Sequence, residues 1–486
     1  MDLDFTKQVA DPIHNTISLT ETEVEIVESP VFQRLRHVMQ LGMVDRVFPG
    51  ANYSRFSHSL GVCHVAGQIM ESLKASGADI DKTMVKRYRL AGLLHDIGHY
   101  PFSHATEAAI DNAQEKLPGQ TRSHDEVGRL IVEHDPGISE IFERSEFDPN
   151  IIADIFCRES DEDPIATPPN RLQYVDVVSS GLDADRLDHL RRTSHHSGVP
   201  YGSVNFDYLI SQFELDQANS NVCLSARALN AADHFLMSRW FERQQVIFHK
   251  TVQAASTTLR ELLQILIQRD ADDLTADEEP TGPHLACTEE QIIYMAENGL
   301  WEKLDDPYVL QRIRALHDGS EDPIHRKCEA VLERRFPKTV FEHSSFDNHE
   351  RARKGVAVAN AVHEKYEDGE IIEDGEIGQG YWSWGKVSDS ITGIEAREKE
   401  DSKRTDHQKY PLRILKPEEE TAYLITDLPE SICSIHAGRV RTTKRLFVLF
   451  PKEDGEDLRS QIEENIQDIT DGVETTTESA PQEAEG

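Results

Sequence analysis

The chain has 486 residues, with 88 Asp or Glu against 51 Lys or Arg, so its formal net charge is −37 at pH 7. Hydrophobic residues make up 38% of the chain, and no apolar run approaches the roughly 20 residues of a membrane span, which excludes fibrous and membrane-spanning classes. The acidic surplus also argues against nucleic acid as a partner, because phosphates would be repelled.

From the N-terminus to about residue 270, apolar residues recur at helical spacing. Ser29-Pro30 has the form of a capped helix start with Pro at the first position. Helical patterns follow over residues 58–73 and 84–97, and a long one covers 229–269. We therefore predict a mainly α fold class with one packed helical bundle as its core.

The second half of the chain changes in texture. An acidic loop with Pro and Gly is predicted at 270–283, and helical patterns return and end near residue 336. The predicted domains are a helical catalytic domain over 1–336, a smaller α+β lobe over 337–451, and a tail over 452–486. Short β-like runs in the lobe are predicted at 421–426 and 445–451. The tail holds 12 acidic against 2 basic residues and is predicted to be disordered.

Residue usage also indicates where the protein works. The basic residues comprise 18 Lys and 33 Arg, and an acidic, lysine-poor surface suits a cytoplasm full of salt, because salt screens like-charge repulsion. The six cysteines contain no C-x-x-C pair, which is typical of reduced thiols. The N-terminus lacks a basic start followed by an apolar run, so we expect no secretory signal. We predict a halophilic, cytoplasmic protein.

Histidine and aspartate are concentrated beyond what a helical core needs. Burying the adjacent pair His95-Asp96 without partners would be costly, and a borderline divalent cation removes that cost by binding imidazole and carboxylate. We expect four protein ligands, which leave positions open for water and substrate on a Mn, Fe, Mg, Ni or Co ion. The predicted ligands are His58, His95, Asp96 and Asp185.

Longer strings surround these ligands. They include Asp11-Pro12-Ile13-His14, Phe32-Gln33-Arg34-Leu35-Arg36, Gln40-Leu41-Gly42, Phe48-Pro49-Gly50-Ala51, Arg55-Phe56-Ser57-His58, His95-Asp96-Ile97-Gly98-His99, Asp183-Ala184-Asp185-Arg186 and His195-His196. In these strings the chain resembles the HD-domain phosphohydrolases, and more narrowly their deoxynucleoside triphosphate triphosphohydrolase branch, over about residues 5–270. The resemblance implies attack of metal-activated water on the α-phosphorus, with release of nucleoside and tripolyphosphate.

The resemblance also implies catalytic roles. His104 matches the histidine that protonates the leaving 5′ oxygen, and Glu107, one helical turn on, is placed to orient it. His99 and His124 match histidines that touch the phosphate chain or a second metal. Asp125 stands where the family has a carboxylate.

Substrate-binding residues carry over with exceptions. The family implies that Arg55, Arg186, Arg239 and Lys250 hold the triphosphate, and that Gln40 and Leu41 lie under the sugar. His189 replaces a phosphate-facing tyrosine, Thr193 replaces the acidic residue that reads the 3′-hydroxyl, and Ile247 replaces the aromatic that blocks a 2′-hydroxyl. Metal binding and phosphate binding carry over, whereas selection of deoxyribose does not.

A regulatory site carries over in part. In the family, a pocket at a subunit interface binds a guanine nucleotide, and Lys7, Glu28, Gln33 and Arg36 occupy matching positions here. The resemblance thus implies a guanine nucleotide activator and a homo-oligomer. The alternative is that these four residues form a solvated helix face.

Three other functions stay open from the sequence. The same metal site would suit a phosphatase on nucleoside monophosphates or another phosphoester. A nucleotide-binding regulator with little turnover would bind nucleotide and return it intact. A zinc protease is a remote alternative, because His95 and His99 have the i, i+4 spacing of zincins but Gly98 and Pro101 disfavour a long helix.

Overall fold

The computed structural model describes residues 3–113, 123–157, 174–273, 279–346, 357–364, 381–390, 412–450 and 455–478, apart from residues 202, 217, 219, 220, 286 and 438. Most of the described residues of the predicted catalytic domain are helical, which confirms the predicted mainly α class. One large cluster of buried apolar residues runs through these helices.

The chain opens with a β-hairpin and then enters the bundle. Strands β1 (Lys7–Asp11) and β2 (Asn15–Leu19) pair antiparallel. The first helices are α1 (Glu21–Glu28), α2 (Pro30–Gln33), α3 (Arg55–Ala75), α4 (Lys82–Leu94), α5 (His104–Ala113), α6 (His124–His134), α7 (Pro136–Arg144) and α8 (Pro149–Phe156). The Ser29 hydroxyl caps α2, whose first residue is Pro30, as predicted.

The second part of the bundle follows α9 (Ala184–Ser197) and α10 (Phe206–Ile210). The predicted helix over 229–269 is wrong in one respect, because it consists of two helices, α11 (Leu229–Glu242) and α12 (Lys250–Asp273). A π-helical turn over Arg243–Ile247 separates them, and the chain leaves helical geometry at Phe248. A single π-helical turn inside a helix changes the spacing of apolar residues only locally, so periodicity over a long segment could not locate this one.

Three further helices complete the bundle: α13 (Glu289–Glu297), α14 (Asp306–Asp318) and α15 (Ile324–Glu333). The predicted acidic loop is helical through Asp273, and its residues 274–278 lie outside the described residues. Asp270 is buried and paired with Arg312 at 2.6 Å, which gives the C-terminal end of α12 a tertiary anchor.

A small mixed sheet joins the predicted lobe to the bundle. Its strands are ordered β3 (Phe213–Leu215), β4 (Val222–Ser225), β7 (Arg413–Leu415) and β8 (Tyr423–Leu424). Strand β7 pairs parallel with β4, and Ile414, Ile425 and Cys433 pack in the main apolar cluster. The β-like run predicted at 421–426 is therefore a two-residue strand followed by a 3-10 turn. The division of the chain at residue 337 stays a prediction.

A second sheet forms the smaller C-terminal layer. Strands β5 (Lys338–Phe346), β9 (Val440–Val448) and β6 (Trp382–Ser390) are antiparallel in that order, with helix α16 at 357–364 and a short helix α17 (Ile432–Ile435) preceding β9. The run predicted at 445–451 is the end of β9. Within the predicted tail, residues Gly455–Glu478 form helix α18, whose Ile462 and Ile466 are buried against this sheet, and residues 452–454 and 479–486 lie outside the described residues.

Two further expectations concern the chain as a whole. All six cysteines are buried and unpaired, as predicted. Among the described residues, no helix combines the length and the apolar character that crossing a membrane requires.

Candidate metal centre and its surroundings

The four predicted metal ligands converge from three elements. His58 lies in the first turn of α3, His95 and Asp96 follow the end of α4, and Asp185 lies in the first turn of α9. Nε2 of His58 is 2.9 Å from Oδ1 of Asp185 and 4.0 Å from Oδ2 of Asp96. Nε2 of His95 is 3.3 Å from Oδ1 of Asp96 and 4.0 Å from Oδ1 of Asp185. The helix packing thus brings all four side chains together.

One orphaned atom shows that this set fits a cation. Nδ1 of His95 donates to the carbonyl oxygen of Gly92 at 2.8 Å, so its Nε2 carries the lone pair. That Nε2 is buried without a hydrogen-bond partner and lies beside two carboxylates. An unprotonated imidazole nitrogen gains nothing from a carboxylate directly, whereas both bind a divalent cation.

Charge accumulates at the centre accordingly. Burial raises the pKa of Asp96, but the guanidinium of Arg55 and the nearby imidazoles of His95 and His99 outweigh burial and hold that pKa well below its usual range. Burial likewise raises the pKa of Asp185, and the hydrogen bond from His58 reverses this. Two ionised carboxylates held close together in a buried site are the electrostatic condition for cation binding.

Asp188 was missed as a functional residue by the sequence reasoning. Its carboxylate lies 2.7 Å from Nδ1 of His58 and 2.7 Å from Nε2 of His14. Arg192 donates to both of its oxygens, at 2.8 and 2.9 Å, and continues to Asp11 at 2.9 Å. Asp188 therefore holds the ring of His58 through Nδ1, on the side opposite Asp185, and the Nε2 that contacts Asp185 faces the candidate ion site.

A glycine makes this support possible. A Cβ on Gly61 would lie 1.9 Å from Oδ1 of Asp188, so α3 and α9 can approach this closely only with glycine there. The strings around Asp11 and Asp188 were noticed in the sequence, but spacing alone could not join residues 177 positions apart. Only the folded protein joins them, through the ion pairs of Arg192 with Asp188 and Asp11.

A second cluster adjoins the metal ligands. Nε2 of His99 is 3.2 Å from Oδ1 of Asp96. Glu107 contacts Nδ1 of His104 and Nδ1 of His124, each at 2.7 Å, and the rings of His99 and His124 stack with centroids 3.8 Å apart. The predicted catalytic residues are thus next to the predicted ligands, and Asp96 joins the two groups.

In this cluster, His104 is exposed to solvent and Glu107 lies behind it. His104 begins α5 and its side chain is 56% exposed, whereas that of Glu107 is 16% exposed. Asp125 lies at the edge, with Oδ1 3.4 Å from Nε2 of His124. A group on the substrate can therefore reach His104 while Glu107 stays behind it.

The pKa values in the second cluster are shifted in opposite directions. Burial lowers the pKa of His124, but Asp125 and Glu107 raise it to about 10. Burial and the charges of Arg55 and His124 hold the pKa of His99 well below its usual value, so His99 is neutral at pH 7. Burial raises the pKa of Glu107, and the two histidines that it contacts reverse this and hold it low.

The turn before α5 is strained. Phe102 and Ser103 have φ values of 55° and 53°, a left-handed conformation that is costly for residues with side chains. Asp306 stabilises this turn by accepting from the backbone N–H of Phe102 at 2.7 Å and of Met39 at 3.0 Å. Burial raises the pKa of Asp306 to about 7. The turn directs His104 out of the bundle.

The end of helix α4 argues against the zinc protease alternative. Helix α4 ends at Leu94, so His95 and His99 do not share one helix face. Gly98 lies so close to α6 that an added Cβ would be 2.2 Å from the carbonyl oxygen of His124. The segment between the two histidines is a tight turn fitted against α6.

The predicted cationic residues lie in different surroundings. Arg55 is buried and donates to Asp96 at 2.7 Å and to Ser103 at 2.8 Å, so it supports a ligand. Arg186 pairs with Asp183 at 2.7 Å. Burial and the nearby charges of Arg186 and Arg243 lower the pKa of Arg239 to about 9, and Arg186 and Arg239 together concentrate positive charge behind the first turn of α9.

The remaining substrate residues are spread around this centre. Oε1 of Gln40 is buried without a hydrogen-bond partner, and Leu41 packs against the main cluster. His189 lies with its ring 6.0 Å from that of His58, and its Nε2 is 3.0 Å from Glu242. Lys250 is the exposed first residue of α12.

The two other substitutions relative to the family also have defined places. Thr193 is fully buried and hydrogen-bonded to the hydroxyl of Tyr53 at 2.8 Å, so its side chain is engaged in the core. Ile247 ends the π-helical turn. Neither residue supplies a group that reads a sugar hydroxyl.

The predicted regulatory residues form two pairs near the N-terminus. Nζ of Lys7 lies 2.6 Å from Glu28. Arg36 donates to Gln33 at 2.7 Å and packs over the ring of Phe56. These contacts are equally compatible with a nucleotide pocket and with a solvated face.

Comparison with known proteins agrees with the ligand pattern. The family model described as "HD domain" matches residues 55–193, the segment from the start of α3 into α9 that holds all four predicted ligands. The chain is 30% identical to an uncharacterised protein of Methanocaldococcus jannaschii over 304 residues, 62% of this chain and 57% of that one. It is 34% identical to human deoxynucleoside triphosphate triphosphohydrolase SAMHD1 over 227 residues, 42% of this chain and 35% of that enzyme.

The relatives therefore extend beyond the matched segments. The match covers little more than half of the archaeal protein and about a third of the human enzyme. Two solved structures share the fold: a hypothetical protein from Aquifex aeolicus has a TM-score of 0.66 and 24% identity, with 94% of this chain and 99% of that one covered. A phosphohydrolase from Bacteroides thetaiotaomicron has a TM-score of 0.64 and 20% identity over 91% of this chain and 99% of its own.

Proposed function

We propose that this chain, whose residues 55–193 match the HD domain family model, is an HD-domain phosphohydrolase near the deoxynucleoside triphosphate triphosphohydrolase branch, and that it hydrolyses (deoxy)nucleoside triphosphates to nucleoside and tripolyphosphate. The observation that carries the proposal is the unpartnered Nε2 of His95, aimed at two carboxylates beside the cluster of Glu107, His104 and His124. A metal centre next to a proton donor supports hydrolysis of a phosphoester.

The metal ion would be held by His58, His95, Asp96 and Asp185. Such an ion, when bound, supplies a Lewis acid that polarises a phosphoryl oxygen and lowers the pKa of water. The chain's part is to orient the ligands: Asp188 fixes His58, Gly92 fixes His95, and Arg55 fixes Asp96.

The leaving group requires a proton. As the oxygen of water joins the α-phosphorus, the bond between that phosphorus and O5′ breaks, and His104 transfers a proton to O5′. Glu107 stabilises the protonated imidazole through the 2.7 Å contact with Nδ1 of His104. His124, on the other oxygen of Glu107, holds that carboxylate in place.

The triphosphate needs positive charge that Arg55 does not supply directly. We propose that Arg186, Arg239 and Lys250 hold the phosphate chain and that His99 and His189 border it. Gln40 and Leu41 would lie under the sugar, where the buried Oε1 of Gln40 accepts from a hydroxyl. Asp125 would adjust the charge of His124.

The proposal also includes activation by a nucleotide and a cellular compartment. Guanine nucleotide would bind at Lys7, Glu28, Gln33 and Arg36 in a homo-oligomer and raise activity. The acidic composition supports a role in a salt-rich cytoplasm. Manganese would suit the imidazole and carboxylate ligands.

One observation favours a wider substrate range. Thr193 is turned into the core on Tyr53 and cannot read the 3′-hydroxyl. Ribonucleotides, or a phosphatase reaction on nucleoside monophosphates, are therefore the second candidate. A regulator that binds nucleotide without turnover would share the same centre.

The test is a product assay. The protein would be incubated with each dNTP, NTP and nucleoside monophosphate in molar KCl with Mn²⁺ or Mg²⁺, with and without GTP, and the products separated by ion exchange. We expect nucleoside and tripolyphosphate in equal amounts. Orthophosphate from monophosphates alone would establish the second candidate, and nucleotide recovered intact from every mixture would indicate the regulator.

A paired variant ties the product to the centre. His95→Ala combined with Asp96→Ala removes two of the four ligands, so tripolyphosphate release should fall at least about a thousandfold while the circular dichroism spectrum is retained. The control is His234→Ala on α11, because this side chain is exposed and is not one of the predicted site residues. Equal activity of the paired variant and the control would refute the metal assignment.

A further inference from the structure

A second group of metal-ligating side chains lies on the hairpin of α14 and α15. His317 comes from the last turn of α14, and His325 and Glu329 lie four residues apart on α15. One ligand atom from each of the three lies within 4.8 Å of the others. The family match ends at residue 193, so this group is separate from the HD segment.

Both rings are held in one tautomer. Nδ1 of His325 lies 3.1 Å from the carbonyl oxygen of His317, which can only accept, so Nδ1 carries the proton. Nδ1 of His317 lies 3.1 Å from a carboxylate oxygen of Asp318 and donates in the same way. Because Nδ1 of each ring is engaged as a donor, Nε2 is the ring atom left to bind a metal ion.

The rings are also stacked. Their centroids are 4.0 Å apart with planes inclined by 26°. The stack holds the two rings side by side on the hairpin of α14 and α15. The side chains are half-buried: His317 is 26% exposed and Glu329 is 12% exposed.

We propose that His317, His325 and Glu329 bind a divalent cation of the zinc class, which clamps α14 to α15. Two imidazoles and one carboxylate are a known zinc set, with a fourth position for water. Tetrahedral bonds of roughly 2.0–2.1 Å place ligand atoms about 3.3 Å apart, which small side-chain rotations reach from the observed separation. The clamp joins the helix that begins with Asp306 to the rest of the hairpin.

The experiment counts metal on untagged, full-length protein. Zn²⁺ binding would be measured by equilibrium dialysis on the His95→Ala and Asp96→Ala background, which lacks the HD centre. We expect one equivalent there, none after adding His317→Ala and His325→Ala, and one after adding the control His234→Ala. An unchanged count in the double histidine variant would overturn the proposal.

Two further readouts separate ligation from a folding defect. Glu329→Gln preserves the shape of the side chain but removes its charge, so Zn²⁺ affinity should fall about tenfold or more at an unchanged circular dichroism spectrum. Co²⁺ in place of Zn²⁺ should give the visible absorption of a four-coordinate site on the same background. Spectra of six-coordinate cobalt, or equal affinity of the Gln variant, would contradict a built site. Activity of the otherwise unmodified chain carrying His317→Ala and His325→Ala should be unchanged.

Discussion

Asp188 shows what distinguishes two carboxylates three residues apart on one helix. Asp185 faces His58 and His95, whereas Asp188 accepts from His58, His14 and Arg192 on the far side. The sequence motif pointed to Asp185 as a ligand and gave Asp188 no role. Their burial and their partners decide, because only Asp188 has every oxygen engaged by donors within the protein.

We expect Asp188→Asn to weaken metal binding by about ten- to a hundredfold, because the amide cannot hold Nδ1 of His58 as a carboxylate does. The measurement is Mn²⁺ affinity by electron paramagnetic resonance. Turnover should recover substantially at saturating Mn²⁺, since Asp188 touches no reacting group.

Asp207→Asn is the matched control, since that side chain is 84% exposed. It should bind Mn²⁺ like the unmodified chain. Equal affinities for Asp188→Asn and Asp207→Asn would show that Asp188 is structural only.

At the scale of elements, the π-helical turn between α11 and α12 is the least predictable part of the candidate site. The turn carries Ile247 and lies between Arg239 and Lys250, three positions assigned to the substrate. The sheet of β5, β9 and β6 contacts this π-helical turn. Asp389, near the end of β6, accepts from Arg243 at 2.8 Å and from Gln244 at 3.0 Å.

A second anchor comes from the neighbouring strand. Arg445 on β9 donates to the carbonyl oxygen of Phe248 at 2.9 Å, where the chain leaves helical geometry. The C-terminal sheet therefore determines the shape of a segment on which three substrate positions depend. The sequence could not reveal this, because contacts between residues 389 and 243 leave no local pattern.

Asp389→Ala should loosen the turn. We expect the KM for the triphosphate to rise roughly five- to tenfold with a smaller change in kcat, because binding is lost more than chemistry. Hydrogen exchange of residues 243–249 should accelerate in the same variant.

Asp468→Ala on α18 is the control, because its side chain is exposed. If both variants showed the same KM and the same exchange rates, the C-terminal sheet would have no part in shaping the substrate segment.

At the scale of the whole molecule, charge is the dominant property. A net charge of −37 on one chain favours expanded states through self-repulsion unless salt screens it. Ion pairs among the described residues, such as Arg129 with Asp154, relieve only a part of this surplus. The halophilic character rests on composition and stays a prediction.

We expect the unfolding temperature to rise on the order of 10 °C between 0.1 and 2 M KCl, because screening removes repulsion in the folded state. Calorimetry or circular dichroism would measure it. Sucrose of equal osmolality is the control for solute exclusion. A rise of the same size in sucrose would show that charge screening is not the cause.

The sequence alone determined the class of the fold and named four candidate metal ligands whose side chains the structure brings together. Helical periodicity reports the burial of one face, and it located α3 and α4 to within a few residues. Imidazole next to carboxylate on an apolar segment has few explanations, so His58, His95, Asp96 and Asp185 could be named before any coordinates.

Tertiary structure decided the rest. It placed Arg55 on Asp96, joined Asp188 to His58, interrupted the helix at Arg243 and ordered the acidic tail through Ile462. Each of these depends on contacts between distant residues, and their energies come from burial, which sequence spacing does not encode.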